Sequence, residues 1–391
     1  MMKTKRSIVV LLVTGVWLTA LFSLQGCAPK VRAPESLLDT PEHHVQSGMK
    51  LLKLGKYDDA MREFELAKGL DPKFSGAYVG SGLVLAAKGD FKKGLEDLDK
   101  AVDLAETDEE KLDANIGLIR LYLLGKESVH KKWLKRAEGA YETAIDIAPD
   151  SSAAHYYMGE CYKAALDFDS ASQLFKKVLD INDGYVVEAN DAWKLIQKIQ
   201  RAAPGTMIGK KIALVDQITR ADIAALFMQE LRIDEVLPQK KEFDTSFKSP
   251  EKPFVTEEIV KTPPALDIAD HVLRTDVEAV MELGIKGLEP YADHTFKPDE
   301  KIARAEYAMM IEDILIKATG DEGLATKFIG SPSPFPDLRS DLPYYNAVMV
   351  STTRGIMEAK DLTTGEFDPM GSVSGADALL IIRKLGAVIR R

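Results

Sequence analysis

The side chains best suited to metal binding or nucleophilic catalysis are few and widely spaced in this sequence. They comprise six histidines and two cysteines: His43, His44, His130, His155, His271, His294, Cys27 and Cys161. Zinc enzymes place their ligands at short characteristic spacings such as His-Glu-x-x-His, and no such set occurs. Adjacent residues on a helix point to different sides, so His43 and His44 are interpreted as a solvated pair. The sequence therefore predicts no metal site and no cofactor.

Other catalytic patterns are also missing. There is no Gly-x-Ser-x-Gly, no Walker loop and no Gly-x-Gly-x-x-Gly. Loops near Asp293 and Asp299 are rich in aspartate, but they lack the spacing of an EF-hand calcium loop. Cys161 lies beside Tyr162 in a helical pattern, where a small buried hydrophobe is favoured over a nucleophile. A protein without catalytic residues is predicted.

Composition narrows the possible partners. The 391 residues include 51 Lys and Arg against 61 Asp and Glu, a net charge of −10. Nucleic-acid binding needs clustered cations that neutralise phosphates, so no nucleic-acid partner is expected. Two cysteines cannot form a disulfide framework. The length favours more than one domain, and a hydrophobic fraction of 46% is sufficient for packed cores.

Residues 1–26 have the features of a secretion signal. A basic start at residues 3–6 precedes an apolar run from Ile8 to Leu24, slightly shorter than the roughly 20 residues that span a bilayer. The run closes with Leu24-Gln25-Gly26-Cys27, which resembles the signal of bacterial lipoproteins. The resemblance implies that Cys27 becomes the lipidated N-terminus. The alternative is an uncleaved signal anchor with an incidental cysteine.

The residues that follow the cysteine indicate a location and a tether. Ala28, in place of Asp, resembles the pattern that bacteria with two membranes send to the outer membrane. We therefore expect a lipid-anchored protein of the cell envelope, at the outer membrane and facing the periplasm. Residues 27–40 are polar and contain Pro29 and Pro34, which predicts an extended tether.

A repeat with a period of about 34 residues follows the tether. Four positions recur in each of four successive units. The first, second and fourth positions hold mostly small residues, and the third holds a large apolar or aromatic residue. They are Gly48, Gly82, Gly117 and Gly159; Ala60, Gly94, Ala137 and Ala171; Phe64, Leu98, Tyr141 and Phe175; and Ala67, Ala101, Ala144 and Val178. Small residues at this spacing allow two helices to touch, and a large apolar residue one turn later fills the seam.

These residues resemble the tetratricopeptide repeat. Four units are predicted at 41–74, 75–108, 109–151 and 152–185, followed by an amphipathic capping helix that completes a domain over 41–202. The third unit contains eight extra residues, including His130 to Trp133, which lengthen its loop or its helices.

In that family the first helix of each unit lines a concave face that binds a protein partner. If that geometry applies, the groove presents mainly apolar side chains: Val45, Met49, Leu52, Val79, Leu83, Leu118, Leu121, Tyr122 and Tyr156. The alternative for each of these residues is that it packs between helices.

A different repeat occupies the C-terminal half, after a linker at 203–211. Two stretches align at an offset of 71 residues, and they share Gly-Ile, a Phe-x-Pro loop and a helix start at Ala305-Glu306 and Ala376-Asp377. A weaker copy lies upstream, where an offset of 84 places Arg220 opposite Arg304. Thr219 and Asp222 have the spacing of a capping box, and Ser374 with Asp377 could act in the same way. Arg220 is then expected to be exposed at the helix start, able to pair with a carboxylate.

This pattern resembles the S-layer homology module, three of which form a pseudo-threefold spindle whose grooves bind cell-wall polysaccharide. The resemblance implies a glycan site at Arg220, Arg304, Asp222, Glu306 and Gly284. The last copy departs from the pattern, with Gly375 where the arginine should be. The middle copy has Ala303 in place of the capping threonine, and the first lacks Gly-Ile and Phe-x-Pro. The alternative is a structural unit that retains no glycan site.

The region 212–391 is divided by an insertion. The predicted parts are a degenerate first copy at 212–237, a proline-rich insertion at 238–264, a second copy at 265–320 and a third at 333–389. The predicted fold class is therefore all-α, a tetratricopeptide solenoid followed by a mostly helical S-layer homology spindle with short loops.

Two functional hypotheses follow. In the first, a non-catalytic envelope lipoprotein tethers membrane to cell wall by binding peptidoglycan or a wall-linked polysaccharide, and its repeat groove binds an envelope protein. In the second, the chain is an envelope assembly or scaffold factor whose repeat groove binds a protein client, and the C-terminal modules only localise it.

Overall fold

The computed structural model describes residues 31–237 and 265–390. The predicted signal, Cys27 and the proline-rich insertion lie outside the described residues. The described part of the chain is helical, with two isolated β-bridges and no strand, which confirms the predicted all-α class. Within these ranges, none of the helices combines the length and apolar character needed to cross a bilayer.

The chain forms two compact units, Met1–Asn190 and Asp191–Arg391. The described part of the first unit contains four helix pairs, in which the two helices of a pair pack together and each pair packs on the next. The pairs are α1 (Pro41–Lys53) with α2 (Tyr57–Leu70), α3 (Ser75–Ala87) with α4 (Phe91–Leu104), α5 (Asp108–Gly125) with α6 (Trp133–Ile147), and α7 (Ser152–Ala164) with α8 (Phe168–Ile181). Helix α9 (Val186–Ala202) follows, and the division between the units falls inside it.

Side-chain size sets how closely the paired helices approach. Of the residues that define the sequence period, all are buried except Tyr141, which is half-buried. A Cβ atom on Gly48 would lie 2.6 Å from the Phe64 ring, and one on Gly159 would lie 2.8 Å from the Phe175 ring. Those separations are shorter than non-bonded carbon–carbon contacts. Glycine therefore allows the first helix of the pair to pack directly against the phenylalanine ring of the second helix.

The third pair is longer than the others. Helix α5 has 18 residues, whereas α1, α3 and α7 have 13 each. A 3₁₀ turn, Lys126–Ser128, follows it, and α6 begins only at Trp133. The indole nitrogen of Trp133 donates to the carboxylate of Glu127 at 3.0 Å, which closes the connection. The extra residues of the third unit therefore lengthen both the helix and the connection.

An ionic cluster fastens the segment before α1 to the first helix pair. The Arg32 guanidinium donates to both carboxylate oxygens of Asp39, at 2.9 and 2.6 Å. The His44 imidazole lies 2.8 Å from Asp39 and 2.7 Å from Glu63. Burial opposes protonation of His44, but the hydrogen bonds to Glu63 and Asp39 outweigh it and raise the pKa of His44. The prediction of an extended tether is therefore wrong for residues 32–40, which are held by these polar contacts.

The α-helices in the described part of the second unit vary from 4 to 16 residues and are joined by turns. They are α10 (Met207–Ile212), α11 (Arg220–Leu226), α12 (Ile233–Val236), α13 (Arg274–Leu283), α14 (Arg304–Thr319), α15 (Tyr345–Thr353) and α16 (Gly375–Ile389). The predicted capping box is present at the start of α11, because Thr219 accepts from the Asp222 amide and Asp222 accepts from the Thr219 amide. Ser374 accepts from the Asp377 amide at the start of α16 in the same way.

Backbone hydrogen bonds join the three copies of the second repeat in a cycle. The amides that open α11, α14 and α16 each donate to a loop carbonyl of another copy: Arg220 to Glu300 at 2.9 Å, Arg304 to Gly371 at 3.0 Å, and Gly375 to Val215 at 2.8 Å. The first copy therefore bonds to the second, the second to the third, and the third returns to the first.

Gly375 has a steric reason to replace the arginine of the motif. A Cβ atom at this position would lie 1.6 Å from the carbonyl oxygen of Ile212. No side chain can be placed there unless α16 moves away from α10. The cycle is thus closed by direct backbone contact at the one point where the motif lacks its arginine.

Candidate functional site

A cleft of about 1080 Å³ opens in the third helix pair, and we call it the repeat-3 cleft. It lies among α4, α5, α6 and the connection between the last two. Its apolar floor consists of Leu118, Tyr122, Val129 and Ala140, and its basic rim consists of His130, Lys131, Lys132, Lys135 and Arg136. Asp99 and Glu127 also line it. The rim belongs to the extra residues of the third unit and to the first turns of α6.

The four permanent cations of the basic rim form no close ion pairs, although Asp99 and Glu127 line the same cleft. None of Lys131, Lys132, Lys135 and Arg136 forms a salt bridge within the described part of the chain. Partial desolvation and the nearby charge of Asp103 raise the pKa of Asp99, although Arg136 opposes this. The cleft therefore combines an apolar floor with positive charges that remain available to a ligand.

The structure divides the predicted partner groove into accessible and buried members. Val45, Met49, Leu52, Leu118 and Tyr156 remain partly accessible. Val79, Leu83 and Leu121 are 6%, 2% and 0% exposed, and they pack with one another in a hydrophobic cluster between the helices. The expectation that these three contact a partner is wrong, because the helix packing covers them. Tyr122 is 8% exposed and borders the repeat-3 cleft.

An aromatic group surrounds Tyr156 on the fourth pair. The Tyr156 ring stacks on the Tyr185 ring with centroids 4.9 Å apart, and Tyr157 meets Tyr185 edge to face at 5.4 Å. The Arg120 guanidinium lies 4.9 Å from the Tyr157 ring centre. Desolvation raises the pKa of Tyr156 to about 12, so its phenol stays neutral at physiological pH. The tyrosines therefore offer aromatic rings and neutral hydroxyls to a ligand.

Arg220 does not occupy the position expected from the sequence. It is 6% exposed, and its guanidinium donates to three backbone carbonyls: Phe296 at 2.8 Å, Gly287 at 2.6 Å and Glu289 at 2.9 Å. The expectation of an exposed arginine is wrong, because the loop of the next copy folds over it. Arg304, 5% exposed, donates to Phe367 and Glu358 at 2.7 Å each in the same manner. Both arginines hold the Phe-x-Pro loop of the following copy.

A cavity of about 360 Å³ lies beside Arg220, and we call it the module cavity. Two of the five predicted glycan residues line it, Arg220 and Glu306. Asp222 acts in the capping box, and Gly284, with φ +61°, ends α13 in a left-handed conformation. Arg304 lines the next loop instead. These three are not among the lining residues of the module cavity.

Sequence reasoning missed the polar ring of the module cavity. Lys286, Tyr291 and Lys301 line it, and the Tyr291 ring lies 4.8 Å from the Arg220 guanidinium. At the offset of 71 residues, the third copy has Met357, Leu362 and Ser372 at these positions. The cationic and aromatic ring is therefore specific to the second copy, a difference that aligning the two copies position by position could have revealed.

Two aspartates that hold the Phe-x-Pro loops were also missed. Asp267 accepts from the amides of Phe296 and Lys297, both at 2.7 Å. Asp337 accepts from the amides of Phe367 and Asp368 at 2.9 and 2.7 Å. The recurrence of an aspartate about 30 residues before each loop was the available indication.

The residues most able to do chemistry have structural partners. Cys161 is fully buried, and desolvation raises the pKa of its thiol to about 12. His155 is buried between the Tyr141 hydroxyl and the Pro149 carbonyl, each at 2.9 Å. Asp293 accepts from the backbone and hydroxyl of Thr295. Across residues 31–237 and 265–390, no group of three or more His, Cys, Asp or Glu side chains has a metal-binding arrangement.

Comparison with known proteins assigns the first repeat. Residues 46–109, from α1 to the start of α5, match the family model described as tetratricopeptide repeat. The first helix pairs are therefore similar to tetratricopeptide repeats. A stretch of 145 residues is 28% identical to tetratricopeptide repeat protein 6 of Homo sapiens, and it covers 37% of this chain and 26% of that protein. The chain thus spans about a quarter of the length of this curated relative.

Two solved structures of tetratricopeptide repeat proteins are similar to this chain. One is TTC0263, a thermophilic TPR protein in Thermus thermophilus, with 19% identity, a TM-score of 0.36, and coverage of 48% of this chain and 91% of that one. The other is YrrB, a TPR protein with an unusual peptide-binding site, with 16% identity, a TM-score of 0.18, and coverage of 39% of this chain and 91% of that one.

Proposed function

We propose that the tetratricopeptide repeats of this chain bind a protein partner and that the chain acts as a non-catalytic scaffold. The observation that supports this most directly is the repeat-3 cleft, which is open and lined by unpaired cations within an otherwise self-packed helix stack. Arrays of this kind use extended surfaces for recognition rather than enclosed reaction sites. The accessible residues Val45, Met49 and Leu52 form a second part of the same interaction surface.

Site-specific photo-crosslinking tests this proposal. A photoreactive residue at Gly139, whose Cβ would meet no atom within 4 Å, samples the repeat-3 cleft without disturbing the fold. A second at Gln46 samples the exposed side of α1, and a third at Gln173 on α8 is the control. A defined crosslinked partner from Gly139 or Gln46, but not from Gln173, would support the proposal. Absence of a crosslink from both test positions would refute it.

A second candidate function is binding of a cell-wall glycan by the C-terminal unit, which we interpret as S-layer homology modules. The module cavity supports it, because the Tyr291 ring, two lysines and three glutamates line it, which gives a sugar both an aromatic face and polar partners. Aromatic faces pack on sugar rings, and lysines pair with anionic substituents such as carboxylates. The chain would then tether a membrane to peptidoglycan or its attached polymer.

Sedimentation with purified sacculi tests the glycan proposal. Because Arg220 holds the loop of the next copy, the informative variant is Tyr291→Ala with Lys286→Ala, which alters exposed cavity residues only. Leu362→Ala, at the equivalent position of the third copy and 82% exposed, is the matched control. We expect the first variant to lose at least half of its sedimented fraction and the control to lose none. Equal sedimentation of all three proteins would exclude the module cavity as the binding site.

We further propose that Cys27 is lipidated and that the protein is anchored at the outer membrane, facing the periplasm. The Leu-Gln-Gly-Cys sequence after an apolar run supports the anchor, and Ala28 supports the outer membrane. Metabolic labelling with an alkyne fatty acid should mark the wild type and a Cys161→Ala variant but not Cys27→Ser. Labelling of Cys27→Ser would disprove the anchor, and recovery of the labelled protein in inner-membrane fractions would disprove the location.

A further inference from the structure

The basic rim of the repeat-3 cleft opposes local stability. Lys132 precedes the first residue of α6, and Lys135 and Arg136 lie in its first turn. Cations at a helix N-terminus interact unfavourably with the partial positive charge of the free amides there. A sequence chosen for helix stability alone would place acids at these positions.

The connection before α6 holds the cations at the mouth of the cleft. Val129 packs into the hydrophobic clusters on both sides of α5, and Trp133 is buried and bonded to Glu127. The amide of Lys132 donates to the Nδ1 atom of His130 at 2.9 Å. The backbone that presents the lysines is therefore fixed by packing and hydrogen bonds, so a ligand need not order it on binding.

The size and lining of the cleft indicate the class of ligand. Its volume of about 1080 Å³ lies at or above the upper end of small-molecule sites, roughly 300–1,000 Å³. The apolar floor at Leu118 and Tyr122 favours a ligand with nonpolar side chains among its negative charges. Nucleic acid would require a longer positive track, and the chain as a whole is negative. A bilayer surface presents headgroups in a plane, whereas these cations surround a recess.

We infer that the repeat-3 cleft binds an acidic peptide segment of a partner protein. Carboxylates of the segment pair with the four permanent cations of the rim, and an apolar side chain of the segment packs on the floor. This inference rests on the proposed function, that the repeats bind a protein, and it adds the chemistry of the partner. Charge complementarity around a fixed recess provides both orientation and selectivity against basic segments.

Fluorescence anisotropy with the purified full-length chain tests the inference. The probe is a labelled short peptide in which glutamate alternates with leucine, and the comparison peptide has lysine in place of glutamate. The test variant is Lys131→Glu with Lys135→Glu, and the matched control is Lys92→Glu with Lys176→Glu, two exposed lysines that do not line the cleft and form no salt bridge. Both variants change the net charge equally, so the control separates local pairing from the overall field.

We expect the acidic peptide to bind the wild type with an affinity that falls as salt rises. The test variant should bind at least tenfold more weakly, and the control should stay within twofold of the wild type. The inference is overturned if the wild type does not bind the acidic peptide, if the lysine peptide binds equally well, or if both double variants weaken binding alike. It is also overturned if anionic vesicles or a single-stranded oligonucleotide bind more tightly than the peptide with the same sensitivity to Lys131 and Lys135.

The crosslinking experiment distinguishes failure of this inference from failure of the proposed function. A partner captured from Gln46 whose capture is unaffected by the Lys131→Glu and Lys135→Glu changes would leave the repeats as a protein-binding unit. The acidic-peptide site would then be rejected, whereas loss of all crosslinks would reject both.

Discussion

Replacing Arg220 with alanine should destabilise the second unit by about 3 kcal/mol and leave the first unit unchanged. The guanidinium donates to three carbonyls, of which the Phe296 carbonyl is the most enclosed and the Gly287 and Glu289 carbonyls can be reached by water after truncation. A hydrogen bond from a charged donor contributes about 1.5–3 kcal/mol, and an unpaired buried carbonyl adds a penalty of about 1–3 kcal/mol. Partial solvation of two carbonyls keeps the total well below the sum of these terms.

Hydrogen exchange measured by mass spectrometry suits this test, because it reports each unit separately within the intact chain. A loss of about 3 kcal/mol corresponds to a rise of roughly a hundredfold in the opening equilibrium of peptides from the second unit. Arg220→Lys should recover only a small part of this loss, since the three donors of a compact ammonium share one nitrogen and cannot reproduce the wide planar fork of the guanidinium. Arg274→Ala is the control, because Arg274 is exposed and pairs only with nearby groups.

A change below about 0.5 kcal/mol for Arg220→Ala, the range of ordinary surface substitutions, would mean that the three hydrogen bonds do not hold the loop. Arg220 would then be exposed, as the sequence predicted, and free to bind a glycan. Equal destabilisation of both units would show instead that the substitution disturbs the chain generally.

Three further outcomes follow from the structure. Gly375→Ala should prevent the second unit from folding, because the added Cβ would clash with the Ile212 carbonyl oxygen. Gly139→Ala, which has open space around it, should stabilise α6 by about 0.5–1 kcal/mol. Thermal denaturation of the two variants measures these changes in stability. Because the pKa of His44 is raised in the folded state, its contribution is complete below the unfolded pKa of about 6.5 and is lost as pH rises through the folded value. The thermal midpoint of the first unit should therefore fall as the pH rises above about 6.5, and His44→Gln should flatten that dependence. In a Cys27→Ser background, Cys161 should resist alkylation at about pH 8 until denaturant is added, since its pKa is raised to about 12; rapid alkylation of the native protein would contradict its burial.

Much of the helix pairing in the first unit could be predicted from local sequence. The period of small and large residues arises from contacts between helices that are neighbours in the chain, so Gly48 and Phe64 reveal their pairing by spacing alone. The burial of Arg220 depends on the loop at Phe296, which is 76 residues away. No local sequence pattern indicates that a distant loop covers this helix start. The extra residues of the third unit were visible in the sequence, but the recess they border results from how α4, α5 and α6 pack.

The division of the partner groove has a similar explanation. An apolar residue on the first helix of a repeat can face either a ligand or the next helix pair, and its type is the same in both cases. Leu83 and Leu118 occupy equivalent positions, yet the first is 2% exposed and the second borders an opening. At Leu118 the recess is bordered by the connection between α5 and α6, which contains extra residues of the third unit and has no counterpart at Leu83.

The return of the third module copy to the first affects how the protein can be made. Ile218 donates to Val373, and Gly375 donates to Val215, so segments far apart in the sequence share one backbone ladder. During synthesis the chain emerges from its N-terminus, and the Ile218 amide and the Val215 carbonyl of the first copy lack these partners until residues 373–375 have emerged. A chain that stops before Gly375 would leave the first two copies open and exposed to proteases, whereas the helix pairs of the first unit could fold as they appear.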